Sequence, residues 1–248
     1  MGIKERRTKV LLSIFFMSDV SFSAVDIDET AQKIFDIALN QKTKSTINIL
    51  AKEGAIEKIN NEATKVILTD KGFEELCFTF PSFRYMKTKW DGVWRILSYE
   101  IPEKKRELRD KLRREVAGWG LGPWHRSFWL TPHPVITQLK KLISQKEEEQ
   151  YVQAFESQHV FGDKNILIEK VWQISNLDKQ YRELFKKWHD ALSQEKPKLD
   201  KMKLVVDTYV DVLRLDPGLP AELIGSKWIG FEAFTIFKEV RSILLSKT

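Results

Sequence analysis

Residues 90–134 constrain the fold more than any other stretch of the chain. Trp94 to Ile101 alternates and is rich in strand formers. Pro102 follows, and the run to Gly118 has helical spacing at Leu108, Leu112 and Val116. Proline suits the first turn of a helix, where its missing N–H has no intrahelical partner to lose. Gly118 and Gly120 stop that helix, and Trp124 to Thr131 alternates bulky and polar residues until Pro132 and Pro134 end the strand. The pattern continues with helical spacing at Ile136, Leu139 and Ile143. Lys146 to Glu149 reads as a solvated loop, and Tyr151 to Val160 as a closing strand. A chain with this order folds as an α+β module in which helices cover a sheet.

The remaining sequence flanks that module. At 248 residues the chain is long enough for roughly one to two domains. Eight Trp and fifteen Phe supply large core side chains. A net charge of +6, with a pI near 9.2, favours a polyanionic partner. The single cysteine, Cys77, cannot form a disulfide within the chain. It reads as a small buried apolar residue, and the cysteine usage suits a reducing cytoplasm. Lys4, Arg6, Arg7 and Lys9 ahead of Val10 to Met17 have the outline of a signal peptide. The same residues fit a first helix with Val10, Leu11, Ile14 and Phe15 inward, which is the expected reading. No apolar run approaches the length of a transmembrane helix.

Residues 1–80 read as three helices and a hairpin. The first helix covers Glu5 to Met17. The second runs from Glu29 to Leu39, capped by Asp28, and the third begins after Asn40 and ends at Gly54. The third helix turns Thr43, Ile47, Leu50 and Ala51 inward, and its other face carries Lys42, Lys44, Ser45, Asn48 and Lys52. Ala55 to Ile59 and Thr64 to Leu68 alternate around an Asn60-Asn61 turn. This is the order of a winged helix-turn-helix. A helix in the major groove needs short polar and basic side chains to reach base edges, which Lys42, Lys44, Ser45 and Asn48 provide. Lys58 and Lys65 on the hairpin suit phosphates, and Lys52 on the same helix face is a further DNA-binding candidate. Pro81 and the aromatic residues Phe78, Phe80, Phe83, Tyr85 and Trp90 make a packed connector, so that 81–162 holds the connector and the central module.

Residues 163–248 read as helical. Asp163 caps a helix through Trp172. Leu177 to Leu192 carries Tyr181, Leu184, Phe185 and Trp188 on one face. Gln194 to Lys201, with Pro197, reads as a loop before a helix over Leu204 to Leu213. Asp216-Pro217-Gly218-Leu219-Pro220, then Trp228, precede a final helix from Gly230 to Leu245.

The Trp-flanked strand ending in Glu100-Ile101-Pro102-Glu103, the Arg-rich helix, Gly120-Leu121-Gly122-Pro123 and the strand ending in Thr131-Pro132 resemble the PaaX-type transcriptional repressors. So do Val171-Trp172, Tyr181, Phe185, Trp188, the Asp216 to Pro220 segment, Trp228, Gly230 and Ala233. The central unit is similar to the ferredoxin-like βαββαβ fold of a small CRISPR-associated nuclease. The resemblance implies a DNA-binding repressor rather than an enzyme, and it implies release by an acyl-CoA-type effector. Two positions depart from it. Ile49 stands where the family often has Arg, so it could meet a thymine methyl but cannot bond a guanine. The chain is also shorter than typical members.

Winged-helix repressors pair two recognition helices across a two-fold axis, so a homodimer is expected. Its expected surface is the strand edges around Trp124 to Thr131 and Tyr151 to Val160, with the aromatic C-terminal helices as the rival. The alternative function is a metal-dependent nuclease. It rests on Glu100, where the nuclease family has an Asp that holds the ion. His125, His133, His159 and His189 show no metal-ligand spacing, and no cofactor loop is present in the sequence, so no cofactor is expected. The basic helix Lys104 to Arg114 is interleaved with acids and reads as a solvated face or as a phosphate-binding one.

Overall fold

A computed structural model describes residues 3–18, 22–60, 64–86 and 89–246. The elements run α1 (Ile3–Met17), β1 (Val25–Asp26), α2 (Glu29–Phe35), α3 (Gln41–Lys52), β2 (Ile56–Lys58), β3 (Lys65–Leu68) and α4 (Asp70–Thr79). They continue β4 (Val93–Tyr99), α5 (Arg106–Gly118), β5 (Gly122–His125), β6 (Phe128–Thr131), α6 (Ile136–Ile143) and β7 (Val152–Gln158). The last are α7 (Lys164–Trp172), α8 (Ile174–Ser193), α9 (Lys198–Leu213), α10 (Ala221–Ile224) and α11 (Ile229–Leu245). The fold is α+β. It divides into two compact units, and the C-terminal helices contribute to both: 1–79 with 182–212 and 233–248, and 80–181 with 213–232.

In the first unit, β1, β3 and β2 form an antiparallel sheet in that order. The sequence of α1, β1, α2, α3, β2 and β3 is that of a winged helix-turn-helix. The two-residue β1, missed by pattern, pairs Val25 with Val66 and Asp26 with Lys65. The second helix stops at Phe35 rather than Leu39, because Asp36 turns into the left-handed region at φ 49° and closes the helix through its N–H to Gln32. Asn61 of the expected hairpin turn lies outside the described residues. Val10, Leu11, Ile14 and Phe16 of α1 are fully buried. Phe16 stacks on Tyr209 of α9 at 5.8 Å and lies 4.5 Å from Phe237 of α11, while Trp188 meets Tyr209 edge-on. Arg241 donates to the Phe16 and Ser18 carbonyls, which closes the last turn of α1. Pro197 sits one residue before α9, so α9 begins earlier than the Leu204 expected from its apolar spacing.

In the second unit, β5, β6, β4 and β7 lie side by side in that order, all antiparallel, and the chain order is βαββαβ. This is the ferredoxin-like topology. The stretch expected as one strand from Trp124 to Thr131 splits into β5 and β6 at a turn over Arg126 and Ser127. Pro102 opens a short 3-10 turn, Glu103–Lys105, and α5 starts only at Arg106. Register puts Leu97 opposite Trp129, while Ile96 lies opposite Leu130 and Phe155, so the two sheet faces are distinct. Tyr99, on the Leu97 face, receives a 2.7 Å bond from Arg113 Nε of α5. On the other face, Trp94 and Leu130 cluster with Ile168 and Val171 of α7 and with Leu219 and Leu223. The segment expected as a solvated loop over Lys146 to Glu149 leads into a 3-10 turn, Glu147–Tyr151; Lys146, Glu147 and Glu149 are exposed, and Glu148 alone of the four is buried.

Candidate nucleic-acid interface

The geometry of α3 begins with its cap. Asn40 is extended, at φ −82° and ψ 175°, and its side-chain oxygen accepts from the Thr43 N–H at 3.1 Å. That satisfies one of the donors left open at a helix start. Thr43 in turn donates its hydroxyl to the Ala38 carbonyl at 2.6 Å, which fixes the turn between α2 and α3. At the far end, Gly54 takes φ +74°, and the Thr69 hydroxyl donates to its carbonyl at 2.7 Å. Lys71 Nζ donates to the Glu53 carbonyl at 2.6 Å, a cation at the negative end of the helix dipole. Gly72 lets this end approach the start of α4, since a Cβ there would lie 2.1 Å from the Ala55 carbonyl oxygen.

Between these ends the helix sorts its side chains. Thr43, Thr46, Ile47 and Leu50 are buried. Thr46 was not expected inward, yet it donates to the Lys42 carbonyl at 3.0 Å and so carries no unmet polar group. Lys42, Lys44, Ser45, Asn48 and Lys52 are all exposed, and Ile49 among them is 48% exposed. Half of the Ile49 side chain stays open to water on the face that carries the lysines and Asn48, so folding buries only part of its apolar surface.

The wing divides its two lysines. Lys58 pairs with Val66, on the same sheet face as Ile56 and Leu68, and that face is the one that packs inward. From there its Nζ reaches the Asn48 side-chain oxygen at 2.5 Å. Lys65 is one residue before Val66, so period-two alternation puts it on the opposite face. Lys58 therefore joins the α3 cluster, and Lys65 does not. Both are only partly exposed.

The other sequence candidates fall in the second unit. Glu100 is exposed just past β4, and its N–H donates to the Tyr151 carbonyl. Among the described residues, no group of three or more His, Cys, Asp or Glu is arranged to hold a metal. The basic residues of α5 and the turn before it are largely paired: in α5 Arg109 with Glu103 at 2.6 Å, Arg106 with Asp110 at 3.5 Å and Lys111 with Glu148 at 4.0 Å, and in the turn Lys105 with Glu147. The Arg109 guanidinium holds Glu103 below the usual carboxylate range. Of the histidines, His133 is buried, and burial, then the charge of Arg84, pushes it down to about 3, so it is neutral at physiological pH. Among the described residues, no helix is long and apolar enough to cross a membrane.

These features define a class: a winged-helix unit whose third helix exposes a polar, basic face, in a chain that also carries a ferredoxin-like sheet. The comparisons with known proteins make the class specific. Residues 87–167 match the PaaX protein central Cas2-like domain, and residues 172–248 match the PaaX-like protein C-terminal domain. The chain belongs to the PaaX family, whose members are transcriptional regulators. Its fold is similar to that of the uncharacterized protein Rv0674 from Mycobacterium tuberculosis. The TM-score is 0.57 and the identity 16%, over 95% of this chain and 94% of that one. No curated protein sequence matches the chain.

Proposed function

We propose that this protein is a cytoplasmic DNA-binding repressor that acts as a homodimer and is released by an acyl-CoA-type effector. The observation that carries the DNA-binding part is the sorting of α3, whose apolar residues are all buried except Ala51 and Ile49 while its lysines, serine and asparagine face water. In this reading Lys42, Lys44, Ser45 and Asn48 meet base edges in the major groove. Lys52 and Lys58 beside α3, and Lys65 from the other face of the wing, meet phosphates, which position the protein without specifying a sequence. Residues 1–80 act as the DNA-binding segment, 81–162 as the assembly segment and 163–248 as the helical regulatory segment.

The dimer reading is supported by the second unit. β5 and β7 are sheet edges, and Trp124, Phe128 and Phe155 stand 44%, 41% and 51% exposed on them and beside them. β5 and β7 are opposite edges of the sheet, so these side chains give each edge its own apolar contact for a partner copy. On the rival surface Tyr181, Trp188, Tyr209 and Phe237 are buried, while Phe185, Phe231 and Phe234 stay partly exposed. The test of the whole reading is operator binding. Lys44→Ala and Asn48→Ala should each weaken it by about 1–3 kcal/mol if they touch base edges. Variants that bind a selected operator as well as the parent protein would remove α3 from the interface.

A further inference from the structure

A cavity of about 480 Å³ opens on the α7 side of the ferredoxin-like sheet. Trp94 and Ile96 of β4, Leu130 of β6 and Trp124 of β5 form its floor and wall. Leu167 and Lys170 of α7 form the opposite side. The volume is within the range of sites that bury a small organic molecule. Two features separate it from a packing defect. Trp94 is only 3% exposed, yet its indole Nε1 has no hydrogen-bond acceptor among the described residues. A buried donor left in that state costs about 1–3 kcal/mol, so a ligand that supplies an acceptor recovers that cost. The second feature is the charge. Asp163 also lines the cavity, and its Oδ1 accepts from the Asn165 and Ile166 N–H groups as the cap of α7, which turns that oxygen toward the helix start. His159 is taken by the Gly162 carbonyl. Lys170 is exposed at the rim, and no carboxylate pairs with it among the described residues, so an unpaired cation stands at the mouth of the cavity.

We propose that this cavity binds a small, flat, apolar monoanion, with an aromatic or alicyclic carboxylic acid as its minimal form. The ring lies against tryptophan and aliphatic side chains. The acid group supplies an acceptor for the Trp94 N–H and a negative charge for Lys170. One lysine with no arginine beside it does not serve a polyphosphate, and the volume does not hold a nucleotide with its acyl arm. The residues of this cavity belong to the second unit and α3 to the first, and the proposal does not rest on the DNA-binding reading.

Calorimetric titration of the full chain with 2-naphthoate, and with the neutral 2-acetylnaphthalene, tests this. Saturable one-to-one binding of 2-naphthoate is expected below about 1 mM, with the neutral ketone weaker. Lys170→Gln should weaken the carboxylate about threefold to fivefold and leave the ketone unchanged, as for an exposed ion pair. Leu167→Trp should fill the space and abolish both, with an unchanged circular dichroism spectrum showing that the fold survives. Trp94→Phe, which keeps a ring but removes the donor, should weaken both. Absence of saturable binding, or binding indifferent to both Lys170→Gln and Leu167→Trp, overturns the proposal. A stoichiometry of one ligand per two chains, lost on dilution, would instead assign the cavity to a seam between two copies, and it would overturn the proposal as well.

Discussion

Lys58 of the wing donates a hydrogen bond to the side-chain oxygen of Asn48 in α3. Two residues that could each touch DNA thus hold one another in the absence of DNA. If α3 reads DNA as proposed, Asn48 trades this bond for a base edge, or keeps it and is positioned by it. Either way the two side chains act as a pair. The single variants Asn48→Ala and Lys58→Ala should therefore not add. A double-mutant cycle on operator affinity should give a coupling of about 0.5–1 kcal/mol or more, whereas Asn48→Ala with Lys65→Ala, on the opposite sheet face, should add within about 0.5 kcal/mol. Equal coupling in both pairs would contradict the assigned geometry.

Lys65 and Lys58 also separate in their salt dependence. A phosphate contact from either would lower the slope of log affinity against log salt by about one unit when removed. Lys65→Ala should do this equally for operator and random DNA. Lys58→Ala should cost more on the operator, because it also frees Asn48. Filter binding at several salt concentrations distinguishes the two.

His133 is buried and held at about 3, against an ordinary value of 6.5. Its folded value is depressed, so the unfolded chain binds the extra proton between those two values. Stability that is intact above pH 6.5 is lost as pH falls toward 3, at up to about 1.4 kcal/mol per pH unit. Asp216, fully buried, works in the opposite direction. Burial pushes its carboxyl up, while the Tyr181 hydroxyl and the Gly218 N–H favour the anion. Its contribution is complete below the unfolded carboxyl value and falls away as pH rises through the folded one. His133→Gln should flatten the acid limb of the thermal midpoint between pH 6.5 and 4.5. An unchanged limb would show that His133 is not buried neutral.

The loop that carries Asp216 depends on one glycine. Gly218 takes φ +66°, and a Cβ there would lie 2.0 Å from the Pro81 carbonyl oxygen. Gly218→Ala combines left-handed strain of about 1–3 kcal/mol with a backbone clash that nothing flexible can absorb. Its thermal midpoint should drop by several degrees or the protein should fail to accumulate. Gly118→Ala, in open space at the end of α5, should be neutral and serves as the control.

Much of this architecture was legible in the sequence, because local chemistry wrote it there. Asn40 and Asp163 announced α3 and α7, since a short polar side chain before an apolar-periodic run has little else to do. The alternation of β4 and β7 gave the sheet its faces. What stayed hidden depended on partners distant in sequence. β1 is two residues long and exists only because Val66 and Lys65 accept it. The side of the wing on which Lys58 lies follows from its register against Val66, which no local pattern supplies. Tyr209 and Phe237 showed as apolar helix positions, but nothing near them in the chain names Phe16 as what they pack against. Trp94 and Lys170 had no motif either, since the cavity between them arises from how α7 crosses the sheet.

The nuclease alternative makes a separate prediction. Glu100→Ala should leave operator affinity unchanged, and the parent protein should cut neither DNA nor RNA with magnesium or manganese. Metal-dependent cleavage that disappears in Glu100→Ala would restore an enzymatic reading of the central sheet.

The central claim is that α3 reads DNA from a dimeric protein. Selection of binding sequences from a random duplex library with the full chain, followed by footprinting of the enriched site, tests it most directly. The account predicts an inverted repeat with half-sites about one or two helical turns apart, protected on one face of the duplex and unprotected by Lys44→Ala or Asn48→Ala. No enrichment over the starting library, or an enriched site that both variants protect as fully as the parent protein does, would contradict it.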